Sequence, residues 1–196
     1  MLRPLAMIVA AILLTRPELP QEHAERFASV LRDEAKARNF DPLTAVAIVH
    51  FESGWNPGVV SENGEDYGLG QVRARFIGAC KDDADPLNSP SPECKAVKQS
   101  LLDAETNLHT MSMLISENKK LCLARVKSAA LPRWLASYQG LNFPKQKKWC
   151  APGEKTWKVV KYRSYLERTL TAKKPAPKPT PPGASPKPGN KPRPKP

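Results

Sequence analysis

The chain has 196 residues, 40% of them hydrophobic, with 31 Lys and Arg against 19 Asp and Glu for a formal charge of +12. That is enough for one moderate domain with an apolar core and argues against a multidomain enzyme. The basicity points to an anionic partner, but no helix-turn-helix, finger or basic stacking motif accompanies it, so nucleic acid is not the expected one.

In chain order, Met1-Leu2-Arg3 precedes a mostly apolar run from Leu5 to Leu14. This reads as the charged start and short apolar stretch of a secretory signal, assigned to residues 1–19. The run is short for a finished transmembrane helix, and no later segment is long and apolar enough to be one. Thr15-Arg16-Pro17 lacks a small-x-small cleavage pattern, which leaves a retained tether or an ordinary buried helix as alternatives. Pro20 to Asn39 places Ala24, Phe27, Ala28, Leu31 and Ala35 at helical spacing between charged residues. Asp41-Pro42 is a cap and first-turn pair for a strongly apolar, hence central, helix ending near Glu52.

Ser53 to Gly58 ends that helix, and Ser61 to Gly70 suggests a turn or short irregular hairpin. Gln71 to Cys80 is expected to form a short helix, and Asp82 to Glu93, with Pro86, Pro90 and Pro92, a loop. A long scaffold helix is expected from Lys95 through Ile115 on one broad apolar surface. Cys122 to Tyr138 reads as one or two helices interrupted near Pro132, Gly140 to Thr156 as a lysine-rich loop, and Trp157 to Leu170 as a last helix. With no alternating strand pattern and no internal repeat, the fold class is mainly α, a single domain over residues 20–170 with irregular cleft loops. Residues 171–196 hold ten of the 21 prolines and seven Lys or Arg with no acid, the composition of a disordered tail. Removing those seven charges from +12 leaves +5 on the rest.

The cysteines, Cys80, Cys94, Cys122 and Cys150, avoid both ends of the chain, as expected for two disulfides in an oxidising compartment. Of the three pairings, Cys80–Cys94 and Cys122–Cys150 close short loops around turn-rich sequence and are favoured. Zinc is disfavoured by the absence of any C-x2-C pair, and His23, His50 and His109 are too scattered for a metal centre. No metal or cofactor is expected.

Glu52 is the residue to isolate for chemistry. It sits at the C-terminal end of an apolar helix, where the macrodipole disfavours a negative charge, with Val49, Phe51 and Trp55 lowering the local dielectric. Both effects raise a carboxyl pKa toward that of a general acid. Spacing alone allows a solvated glutamate as well. Trp55, just past the helix end, reads as a hydrophobic plug.

Glu52-Ser53-Gly54-Trp55-Asn56-Pro57, Ser61, and Asp66-Tyr67-Gly68-Leu69-Gly70-Gln71 together resemble the signature of the soluble lytic transglycosylase family, which has the goose-type lysozyme fold. The resemblance continues at Asp103 and Asn107-Leu108, a helical scaffold position, and at Ser137-Tyr138-Gln139-Gly140, similar to the family's Ala-Tyr-Asn-x-Gly element. It covers residues 25–168. Gly70 stands where the family has methionine, and Gln139 where it has asparagine, so Gln139 is not assigned the asparagine's bond.

The resemblance implies a lysozyme-like domain that cleaves peptidoglycan glycan strands, with Glu52 as sole acid and base. The sugar's own C6 hydroxyl is then the nucleophile, leaving a 1,6-anhydromuramoyl end. Ser53, Gln71, Tyr138 and Tyr162 are the implied substrate contacts. Asp66 is the nearest second carboxylate and would serve a water-using muramidase. A cell-wall-binding or assembly protein without turnover is the non-enzymatic alternative. Other expected partners are anionic cell-wall polymers, through Lys145-Gln146-Lys147-Lys148-Trp149 or the tail, or a cell-envelope assembly. The protein is expected to be a monomer in the periplasm or outside the cell.

Overall fold

The computed structural model describes residues 3–172, so nearly all of the expected tail lies outside the described residues. Among them are seven α-helices and one two-stranded hairpin. The helices are α1 (Leu5–Thr15), α2 (Gln21–Arg38), α3 (Pro42–Glu52), α4 (Pro92–Ser100), α5 (Ala104–Val126), α6 (Leu131–Tyr138) and α7 (Glu154–Thr171). The fold is the mainly α, lysozyme-like one, and no described helix is long and apolar enough to cross a membrane.

Helix α3 organises the domain. Asp41 caps it by accepting from the Leu43 N–H at 3.2 Å, Pro42 supplies the first turn, and every residue from Pro42 to Val49 is buried. A helix apolar all round needs neighbours on every side. These are α1, α2 and α7, while α5 packs against α2 and α6. Glu52 is the last residue of α3, where this fully buried surface gives way to the cleft.

Helix α1, the segment expected as a signal, packs against α2 and α3, with Ile8, Ala11 and Ile12 fully buried. It is fastened at both ends. Arg3 pairs with Asp41 at 3.2 Å and with Glu167, and the Trp55 indole N–H donates to Thr15 Oγ at 2.7 Å. It therefore runs alongside α3 in the same direction. Burial alone would raise the Asp41 carboxyl, but Arg3 and Arg163 hold it below its ordinary value. Trp55 is 3% exposed and stacks on Phe27 at 5.9 Å, so it plugs the domain.

Two local expectations differ from the fold. Residues 71–80 do not form a helix: β1 (Asp66–Tyr67) pairs antiparallel with β2 (Val72–Arg73), Asp66 opposite Arg73, and two short 3-10 turns follow. Extended backbone at Ile77 and positive φ at Gly78 separate those turns. The scaffold helix expected from Lys95 is broken into α4 and α5, because Asp103 caps a new helix by accepting from the Thr106 N–H at 2.8 Å. Helix α5 then continues beyond Cys122, and Pro132 opens α6 in its first turn. Disulfides join Cys80 to Cys94 and Cys122 to Cys150. The first ties a 3-10 turn to α4, and the second ties α5 to the loop before α7.

Candidate active site

A cleft of about 570 Å³ opens between the hairpin, α5, α6 and the start of α7. Glu52, Asp66, Gln71, Tyr138 and Gln139 all line it, although they are spread over nearly ninety positions of sequence. Burial raises the Glu52 carboxyl from 4.5 to about 7, the Lys155 ammonium opposes that, the Asp66 charge adds to it, and the polar Gln139 amide opposes it. A carboxyl that holds its proton near neutrality is a usable general acid.

The loop facing Glu52 is clamped from beneath. Asn107, fully buried on α5, spends its amide on three backbone groups: Oδ1 accepts from Gly70 N–H at 2.7 Å, and Nδ2 donates to Tyr67 O at 2.8 Å and Leu101 O at 2.7 Å. The loop lies so close that a Cβ on Gly68 (φ +69°) would stand 2.3 Å from Leu101 O and 2.4 Å from Asn107 Nδ2. A Cβ on Gly70 would lie 2.8 Å from Met111 Sδ. Met111 on α5 thus underlies the loop at Gly70. From above, the Tyr138 hydroxyl donates to Gly70 O at 2.6 Å. Burial, with the Glu52 and Asp66 charges behind it, pushes that phenol well above its ordinary value, so it stays a donor.

Asp66 shares the cleft with Glu52 but is held by Arg73, whose Nε and Nη2 donate to its two oxygens at 2.8 and 3.0 Å. Such a bidentate pair fixes the orientation of the carboxyl group. The cleft therefore contains one carboxyl that keeps a proton and one bound to a guanidinium.

Residues 29–148, more than half of the chain, match the family model for the Transglycosylase SLT domain. The chain belongs to this family. No curated protein and no solved structure matches it. Family membership carries a lytic-transglycosylase-type action on peptidoglycan as the coarse function. The matched span includes α3, the hairpin, α5 and α6, but it ends before α7, which brings Lys155 to the cleft.

Not every residue suggested by the family resemblance reaches this cleft. Ser53 does not line it; its hydroxyl donates back to Val49 O at 3.3 Å, closing the end of α3. Tyr162 also lies off the cleft lining, stacked on His50 at 4.5 Å and edge-on to Phe51 at 5.4 Å on the seam between α3 and α7. Gln71 lines the cleft while donating to Val59 O and Gly68 O at 3.2 and 3.0 Å, which makes it a loop brace.

Conversely, Arg73, Arg75, Phe76, Asn118, Asn142 and Lys155 line the cleft and were not singled out from the sequence as site residues. Phe76 is 58% exposed, with the Arg75 guanidinium 5.2 Å from its ring centre. The signal that could have found it is its place five residues after Gln71, once the intervening segment is read as strand and 3-10 turn.

Proposed function

We propose that this protein is a peptidoglycan lytic transglycosylase with Glu52 as its catalytic acid and base. Protonated Glu52 donates to the glycosidic oxygen between N-acetylmuramic acid and N-acetylglucosamine as that C1–O bond breaks. The resulting carboxylate accepts the proton of the muramoyl C6 hydroxyl as its oxygen bonds to C1, closing the 1,6-anhydro ring and restoring the acid. The nucleophile belongs to the substrate, so its effective concentration is high and no second ionised carboxylate is needed. One observation carries this reading: Glu52 ends a buried helix inside the cleft, where burial raises its carboxyl to about 7, while its cleft neighbour Asp66 is tied by both oxygens to Arg73. The exposed Phe76 ring offers an apolar face suited to stacking on a sugar.

Two disulfides support placement in the periplasm or outside the cell. The domain is read as residues 20–170, and α1 is read as completing its packing.

Mass spectrometry of muropeptides released from purified peptidoglycan by wild type and by Glu52→Gln tests the mechanism. Anhydromuramoyl products lost in the variant are expected. Reducing muramic ends would make the protein a muramidase and bring Asp66 forward, the specific reason being that Asp66 and Glu52 share one cleft. No release by correctly oxidised wild type would point to a wall-binding or assembly protein.

A further inference from the structure

Beside Glu52 lies a polar chain that starts in α7, outside the stretch matching the family. The Gly153 N–H donates to Thr156 Oγ at 3.3 Å, and Thr156 Oγ–H donates to Gln139 Oε1 at 2.8 Å. Thr156 is fully buried, so its single hydroxyl proton has no competing solvent partner. With Oε1 satisfied by that proton, the other end of the Gln139 amide, Nε2, is the end available to Glu52, which lines the same cleft. An amide N–H can only donate to the carboxyl, and donation favours the carboxylate form.

We propose that Thr156 acts as a positioning residue that locks the Gln139 amide with its N–H facing Glu52, so that the carboxylate formed on proton transfer is stabilised. This rests on the proposed catalytic role of Glu52 and deepens it. It also gives the departure from asparagine at 139 a physical sense. The longer side chain bridges from the end of α6 to Thr156 on α7 while still lining the cleft that holds Glu52. Without the Thr156 donor, the amide is free to turn over and present Oε1. That oxygen accepts from protonated Glu52 and repels its carboxylate, so the proton is held more tightly. The charged and titratable groups around Glu52 are Lys155 on α7, Asp66 on β1, Tyr138 on α6, and Arg73 and Arg75 across the cleft.

The test is the Glu52 carboxyl titration, followed by ¹³C NMR of glutamate-labelled full-length protein and assigned with Glu52→Gln, alongside the pH profile of muropeptide release. Thr156→Val is expected to move the Glu52 midpoint and the alkaline limb of the profile upward by about one pH unit, as for loss of one hydrogen bond to a charged group. The kcat should fall about tenfold with KM little changed. Thr156→Ser should restore both, and Gln139→Leu should reproduce the shift without needing any change in α7. An unmoved midpoint in folded Thr156→Val and Gln139→Leu overturns the proposal. A midpoint that moves in a protein releasing no muropeptides supports the polar chain and sinks the enzymatic reading instead.

Discussion

Replacing Glu52 by Gln should make the protein more stable above neutral pH while removing its activity. In the unfolded chain Glu52 releases its proton near 4.5, whereas in the folded domain burial holds the proton to about 7. Between those values the folded state binds the extra proton, so wild-type stability falls as pH rises through the window and levels off above it. A rise of that size corresponds to roughly 3 kcal/mol of strain at pH 8, carried by ionised Glu52 in its site. Glutamine has no proton to lose, so the variant lacks this penalty. At pH 4 the two proteins should be nearly equal in stability. At pH 8 the variant should be ahead by about 3 kcal/mol, which for a domain of this size raises its melting temperature by roughly 6–12 °C. Urea unfolding of both proteins at pH 4, 6 and 8, with the disulfides intact, measures the difference directly. A gap between variant and wild type that is the same at all three values would refute the premise that burial, and not some pH-independent packing effect, governs this carboxyl.

Activity on peptidoglycan should decline as pH rises through about 7, as the acid form of Glu52 is lost, and a pH profile of kcat/KM would check the midpoint. Asp66→Asn should leave anhydromuramoyl product formation within about tenfold of wild type, because Arg73 already occupies that carboxylate; a loss as large as that of Glu52→Gln in a muropeptide assay would give Asp66 a direct chemical role. Gly68→Ala should cost about 3 kcal/mol in chemical denaturation, since the new methyl meets Leu101 O and Asn107 with no room to move and at positive φ. Thr15→Val should cost about 1–2 kcal/mol by removing the acceptor of a buried indole N–H, and an unchanged unfolding midpoint would show that the Trp55 bond to α1 is not made in solution.

What could be read from the sequence follows the range of the interactions involved. Local chemistry was legible: the Asp41-Pro42 cap, the apolar α3 and the 3.6-residue pattern of α2 each depend on neighbours a turn away. Glu52 stood out because its burial is foreshadowed by the helix that delivers it. The break between α4 and α5 was missed because the apolar residues on either side continue one pattern, and only the capping bond from Asp103 and the pull of Asn107 on Leu101 O end the first helix. The strand after Gln71 was missed because two residues of pairing are too few to alternate visibly. The pairing of Asp66 with Arg73 depends on hairpin register, and the meeting of Gln139 with Thr156 depends on how α6 and α7 dock. Neither register nor docking is written into spacing. Tyr162 was linked to the cleft only as a match to a single late tyrosine of the family, whereas its ring stacks on His50.

The packing of α1 makes two occupations of one segment mutually exclusive. The faces of Ile8, Ala11 and Ile12 that press against the domain are the same faces that a lipid or an export channel would have to hold during passage across a membrane. A chain whose first helix is undocked has an unsupported Trp55, an indole N–H without Thr15, and an Asp41 cap lacking one of its two guanidinium partners. Severing the helix would make that state permanent; releasing it intact would let the last piece of the domain close over the helix that ends in Glu52. If α1 serves in export, arrival and assembly are one event, and the cleft is completed only once that helix has docked.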